Sequence, residues 1–170
     1  MKIETDRLII RSMQAADLEP LTALWADPEV TFFMGGPRNQ EELISTLKED
    51  LIAVPQPDFD LWPVLEKASG KIVGDCGIID KEVDGKTEYE VVYVFARSCW
   101  GKGYATEAAV AMKSCAFRQL GLKRIIALID PDNTKSERVA EKTGLRHEKD
   151  TIRPDGKKMK VYALDAGGVQ

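Results

Sequence analysis

The chain is poor in the residues that build the commonest metal and disulfide sites. It holds one histidine, His147, and three cysteines, Cys76, Cys99 and Cys115, with no Cys-x-x-Cys spacing. A lone imidazole does not supply the ligand set of a zinc or iron centre, so no metal is expected. An odd, scattered set of thiols reads as free cysteine in a reducing cytoplasm, which is where the chain is expected to work. No apolar run approaches the ~20 residues of a membrane span. Lys2, Glu4, Asp6, Arg7 and Arg11 stand where a signal peptide needs an apolar centre, so no membrane association is expected. There is also no internal repeat, low-complexity tract or linker in the 170 residues. One domain over 1–165, with a short tail at 166–170, is the expected organisation.

Charge is unevenly placed. Residues 1–100 carry 10 Lys and Arg against 19 Asp and Glu, and residues 101–170 carry 14 against 9. The acidic half would repel nucleic acid and suit a cationic partner. Seven of its carboxylates, Asp58, Asp60, Asp75, Asp80, Glu82, Asp84 and Glu88, fall close together in sequence. They either line a cleft for a cation or form a solvated face.

The basic half opens with the most specific pattern, Trp100-Gly101-Lys102-Gly103-Tyr104-Ala105-Thr106-Glu107. It follows a strand-like run of β-branched and aromatic residues and leads into an Ala-rich helical pattern. Strand, glycine loop and helix start together make an anion site, because the first helical amides have no partner and point at the ligand. A tight turn with no ligand is the alternative. A P-loop is excluded, since Gly103 and Tyr104 follow Lys102. The dinucleotide fingerprint fails because Thr106 occupies its third glycine position.

Apolar periodicity predicts strands at 7–11, 59–67, 71–80, 88–96 and 124–130 and a closing hairpin of 145–151 with 157–164. Helices are predicted at 17–25, 41–53, 104–120 and 136–142, with Asn39 and Glu42 spaced as a capping box and Asn133 or Thr134 as a later cap. Phe32, Phe33 and Met34 beside Gly35, Gly36 and Pro37 form either a core plug or a cleft wall. The strands at 88–96 and 124–130, joined through a helix, should run parallel. The fold class is therefore α+β, with a mixed, mostly antiparallel sheet, a central parallel pair and flanking helices.

Three segments in order carry a resemblance: 90–108 with the glycine loop, then Asp132, Asn133, Ser136 and Arg138, then Glu141 to Leu145. The chain resembles the GNAT N-acetyltransferase superfamily, most closely the branch of ribosomal-protein N-terminal acetyltransferases. Thr5, Arg7 and the stretch around Asp27 and Pro28 are also similar to that branch, so nearly the whole chain is covered. The resemblance implies a GNAT-like domain whose central parallel strands splay. It also implies acetyl-CoA bound by Trp100, Gly101, Lys102, Gly103, Tyr104, Ala105 and Thr106. Phe95, Ala96 and Arg97 would pair with the pantetheine arm, and Asn133 and Arg138 would face the cofactor. Trp100 departs from the Gln or Arg of many members.

The same resemblance implies direct acetyl transfer in a ternary complex to a primary amine. A protein or peptide N-terminus is the favoured acceptor, with a polyamine or antibiotic as the alternative and a non-catalytic acetyl-CoA-binding module as a third reading. The −9 balance of the first half predicts a cationic acceptor. Glu90 is the candidate base and Ser136 the candidate acid, since Ala140 stands where many members carry a Tyr; Tyr93 is a second acid candidate. A backbone amide near 92–94 would polarise the thioester carbonyl, although Val92 replaces a frequent Gly. A monomer or a homodimer is expected.

Overall fold

The two faces of the central strands are both apolar, which requires a helical layer on each side. The computed structural model describes residues 2–53 and 59–168. Eight strands form one sheet in the order β1-β2-β3-β4-β5-β6-β8-β7. They are β1 (Lys2–Glu4), β2 (Leu8–Arg11), β3 (Asp60–Glu66), β4 (Ile72–Val83), β5 (Lys86–Phe95), β6 (Arg124–Ile129), β7 (Arg146–Ile152) and β8 (Lys158–Asp165). The junction of β5 with β6 is parallel and the others are antiparallel.

Four α-helices cover the sheet: α1 (Leu18–Ala26), α2 (Gln40–Ile52), α3 (Tyr104–Arg118) and α4 (Thr134–Thr143). Ala108, Met112, Cys115 and Ala116 of α3 and Ala140 of α4 pack with Val91 and Phe95 on one face. Leu24 and Trp25 of α1 pack with Val92 and Val94 on the other, with Leu43 of α2 against them. Alternation along β5 thus sends odd-numbered side chains to α3 and α4, and even-numbered ones to α1 and α2. Full burial of Leu8, Ile78, Met112 and Ile125 ties the layers together.

Local chemistry sets the element ends. The β4–β5 hairpin turns at Asp84 and Gly85, both left-handed with φ of 51° and 75°, the pair that a two-residue hairpin needs. Asn39 accepts the Glu41 and Glu42 amides at the start of α2. Asn133, and not Thr134, caps α4, and the helix begins two residues earlier than its apolar spacing predicts. α3 stops at Arg118, short of the predicted 120. β1 escapes the sequence reading because a three-residue strand is too short to show a period. The segment around Gly35 and Gly36 folds as a 3₁₀ turn, Phe32–Met34, that leaves Phe32 70% exposed while Met34 packs against the α1 cluster. The expected tail at 166–170 begins with a 3₁₀ turn, Ala166–Gly168, whose first amide donates to Lys123; residues 169–170 lie outside the described residues.

Candidate active site

Strand β5 is fully engaged on one side and open on the other. It pairs with β4 without interruption from Val83–Lys86 to Gly74–Phe95, with no shift of register. Its registered pairing with β6 is the single position Glu90–Ile126. The Ala96 amide donates to Val73 on the β4 side at 2.9 Å. Antiparallel alternation then turns the main-chain groups of Val91, Tyr93 and Phe95 away from β4, toward the gap that opens beyond Glu90. Of the amides at 92–94, only that of Tyr93 faces the gap. With Val92 in place of Gly there is no bulge, and splaying of the neighbouring strand creates the opening.

Glu90 sits at the apex. Its carboxylate accepts the Leu128 amide of β6 at 3.2 Å, taking the place of a strand carbonyl where the ladder parts. Burial pushes its carboxyl above the usual range, and the Leu128 amide, Lys81 and Arg153 partly oppose the shift. A carboxyl tuned upward is nearer the working range of a general base at neutral pH.

The glycine loop lies beyond the open end of β5. Gly101 and Gly103 have φ of 77° and 82°, and Gly103 is the N-cap of α3 with no side chain capping the helix. The first amides of α3 are therefore left for a ligand. A Cβ at Gly101 would meet nothing within 4 Å. The loop is held from behind by Thr5, Arg7 and Glu107, which local sequence patterns do not mark as partners. Glu107, in the first turn of α3, accepts from Thr5 Oγ1 at 2.6 Å, from the Arg7 amide at 2.9 Å and from Arg7 Nε at 2.7 Å. Arg7 also donates to the Lys102 carbonyl and lies over the Tyr104 ring. Tyr104, buried, donates to Glu66 at 2.6 Å, so its ring is a prop and its backbone is what faces the loop. Ala105 packs against the core cluster beside it.

At the end of β5 several groups are already taken. Trp100 Nε1 donates to the Phe95 carbonyl at 2.8 Å, and Lys135 lies 4.9 Å from the indole centroid. The Ala96 carbonyl accepts the Cys99 amide, and the Arg97 carbonyl accepts the Trp100 amide. The Arg97 side chain is paired with Glu29 at 2.6 Å. The amides of Phe95 and Arg97 are what this stretch can still offer.

On the α4 side, Asn133 accepts the Ser136 amide at 3.1 Å. The Ser136 hydroxyl is then free of capping duty and meets the Tyr93 hydroxyl at 2.9 Å, while Tyr93 also donates to the Ser136 carbonyl at 3.1 Å. Sequence offered these hydroxyls as alternatives; the structure puts them in one hydrogen-bonded pair. Burial raises the Tyr93 phenol well above its ordinary range, so it stays protonated at neutral pH. Arg138 is exposed on the same helix.

The opposite face holds a cleft of about 240 Å³ between α1, α2, β3 and β4. Asp60 and Asp75 of the seven acidic candidates line it. Asp84 instead pairs with Lys149 and Thr151, Glu88 pairs with Arg124, and Asp80 and Glu82 are exposed. Asp58 lies outside the described residues. Among the described residues no His, Cys, Asp and Glu cluster could hold a metal ion, and no helix is long and apolar enough to cross a membrane.

Comparison with known proteins identifies the family and the fold. The family model described as acetyltransferase (GNAT) domain matches residues 7–146. The YkkB protein of Bacillus subtilis (strain 168) is 35% identical over 162 residues, covering 95% of this chain and 94% of that one. The crystal structure of a GNAT-family acetyltransferase from Bacillus anthracis superposes with a TM-score of 0.81 at 30% identity, over 97% of this chain and 98% of that one. Spermidine N-acetyltransferase from Vibrio cholerae, solved with CoA and spermine, shares the fold at a TM-score of 0.79 and 15% identity, over 96% of this chain and 98% of that one.

Proposed function

The chain belongs to the GNAT acetyltransferase family and is an acetyl-CoA-dependent N-acetyltransferase; from that premise we propose that it transfers acetyl directly to a cationic primary amine presented at the β5–β6 gap. The observation that carries the proposal is the open edge of β5 ending beside an uncapped helix start. The uncapped amides and the small residues Gly101, Gly103, Ala105 and Thr106 fit a pyrophosphate, with Lys102 and Arg138 adding positive charge nearby. The Arg7–Glu107 clamp keeps those amides in place before the ligand arrives. The Phe95 and Arg97 amides suit the amide-bearing arm, which would add to the strand edge as a peptide does. Asn133 orients α4, and through it Ser136, toward the same arm.

The chemistry then has an assigned group for each proton. The acceptor ammonium loses its proton to Glu90, directly or through a water. The freed nitrogen attacks the thioester carbonyl carbon, whose oxygen takes the Tyr93 amide as donor. The new C–N bond forms, the C–S bond breaks, and the Tyr93–Ser136 pair protonates the departing thiolate. Two acceptor forms suit such a site. The resemblance to ribosomal-protein acetyltransferases favours a peptide N-terminus, and the acidic first half suits one near Lys or Arg; the similarly folded Vibrio cholerae protein, solved with spermine, supports a polyamine.

Thiol release from acetyl-CoA with a panel of primary amines tests the reading. Amine-dependent release with a mass gain of one acetyl group is expected. Tight cofactor binding with no release on any amine would make the chain a binding module instead.

A further inference from the structure

The mechanism above leaves one buried acid unused. Asp75, on β4, is 6% exposed. Its Oδ2 accepts Trp25 Nε1 of α1 at 2.9 Å, and its Oδ1 has no hydrogen-bond partner of ordinary geometry among the described residues, although the adjoining Cys76 amide lies close enough to the carboxylate to ease its charge. An unpaired oxygen on a buried carboxylate costs about 1–3 kcal/mol or more, so such an atom ordinarily has a donor. Asp75 lines the cleft on the α1/α2 face, so a donor can arrive from there.

The remainder of the lining favours a cation. Asp50 of α2 and Asp60 of β3 add two further carboxylates, and Trp62 brings an aromatic face, while the Trp25 ring already carries the Arg38 guanidinium 5.5 Å from its centroid. Arg38 also borders the cleft, but its guanidinium is committed to the carbonyls of Met34 and Gly36. Asp75 and Asp60 alone outnumber the one guanidinium of the lining. The cleft, about 240 Å³, is smaller than the ~300–1,000 Å³ typical of drug-sized sites and admits an aminoalkyl arm.

Register fixes how far the cleft lies from the reaction. Asp75 is paired with Val94, next to Tyr93, whose amide faces the gap. One strand spacing and half of the next place the two at roughly 7 Å, a distance that a chain of about four to six methylenes spans. Even-numbered β5 residues share the Asp75 face, so Glu90 and the cleft open to the same side of the sheet.

Building on acetyl transfer at the β5–β6 gap, we propose that this cleft is an ammonium subsite of the acceptor, in which Asp75 Oδ1 holds the second, unreacted ammonium of a diamine or polyamine. Trp25 orients the carboxylate through its indole N–H, and Asp60 and Asp50 draw the cation in. The acceptor is then selected by two charges a fixed distance apart.

The test compares 1,5-diaminopentane with pentylamine on the full chain at saturating acetyl-CoA. The wild-type protein should favour the diamine in kcat/KM by at least tenfold, through KM. Asp75→Asn keeps the side-chain shape and an acceptor for the Trp25 indole, and should abolish that preference by raising KM for the diamine. Asp60→Asn, at a partly exposed position, should weaken it several-fold, and serves if the first variant folds poorly. Equal KM for the two amines in the wild-type protein, or a loss in Asp75→Asn that falls on kcat for both alike, would overturn the proposal. Calorimetric titration of 1,5-diaminopentane into the protein holding CoA separates this idea from the transfer reading. Asp75-dependent binding without turnover would sink transfer and keep the subsite; turnover without Asp75 dependence would sink the subsite and keep transfer.

Discussion

In the proposed reaction the two faces of the central sheet hold their ligands with different materials. On the α3/α4 face the recognising groups belong to the main chain: helix-start amides, an unpaired strand edge and glycines in left-handed conformation. On the α1/α2 face they are side chains, with Asp75, Asp60, Trp25 and Trp62 drawn from three elements. The scaffold behind the first face is braced by hydrogen bonds before any ligand binds, as the Thr5–Arg7–Glu107 clamp shows. The second keeps an unsatisfied buried oxygen in reserve. A fixed backbone cradle suits the cofactor, and side chains assembled across the sheet suit an acceptor that must be told from others.

Damage to the backbone-built face should have the largest effect. Gly103→Val places a β-branched residue at φ 82°, and its Cβ would lie 3.4 Å from Arg7 Nη2. CoA affinity should fall at least 10²-fold, read by calorimetry on a variant whose circular dichroism is unchanged; full affinity in a folded variant would remove the loop from the site. Glu90→Gln comes next, with turnover lowered roughly 10²-fold and CoA affinity little altered. Raising the pH should recover part of that loss, since more acceptor is already neutral. Equal rates for variant and parent at neutral pH would leave Glu90 a structural cap for Leu128.

The acceptor face has a signature in stability. Burial lifts the Asp75 carboxyl from 3.8 to about 6, Asp60 adds to the rise, and the Trp25 indole and Cys76 amide oppose it. A folded-state pKa above the unfolded one means the native state binds more protons in that window, so stability falls as pH rises from about 4 to about 6. The cost is between about 2 and 3 kcal/mol at roughly 1.4 kcal/mol per unit. Asp60 and Asp50 face the same cleft and Arg38 borders it, so the quantity to measure is the difference between wild type and Asp75→Asn in urea unfolding at pH 4.5 and pH 7. Parallel behaviour of the two proteins would mean that Asp75 carries no such burden.

A smaller effect is expected at the hydroxyl pair. Tyr93→Phe and Ser136→Ala should each slow turnover about tenfold, and the double variant should lose little more, because both act through one shared hydrogen bond. Full additivity would separate their roles.

The same contrast explains what the sequence revealed. Glycine spacing and strand-to-helix punctuation are local signals, so the loop, the parallel pair and the order of elements could be read directly. Glu90 was legible as a residue of the right strand, but its place at the parting of two strands depends on register with Leu128, 38 positions away. Asp75 was one of seven carboxylates close together in sequence, and only packing against Trp25, 50 positions away, distinguishes it from solvent-facing Asp80. Arg7 and Trp25 read as ends of ordinary elements because their partners are equally remote. Local backbone chemistry is written in short words; side-chain sites assembled across the sheet are not.

Amide-resolved NMR of the ¹⁵N-labelled protein tests the division of labour most directly, with CoA added first and 1,5-diaminopentane second. CoA should shift the amides of Tyr93, Phe95, Arg97 and residues 101–106, and leave the Trp25 indole N–H in place. The diamine should then move the Trp25 indole and the amides around Asp75. Shifts from CoA concentrated in the α1/α2 cleft, or a diamine that leaves the Trp25 indole in place, would contradict the account.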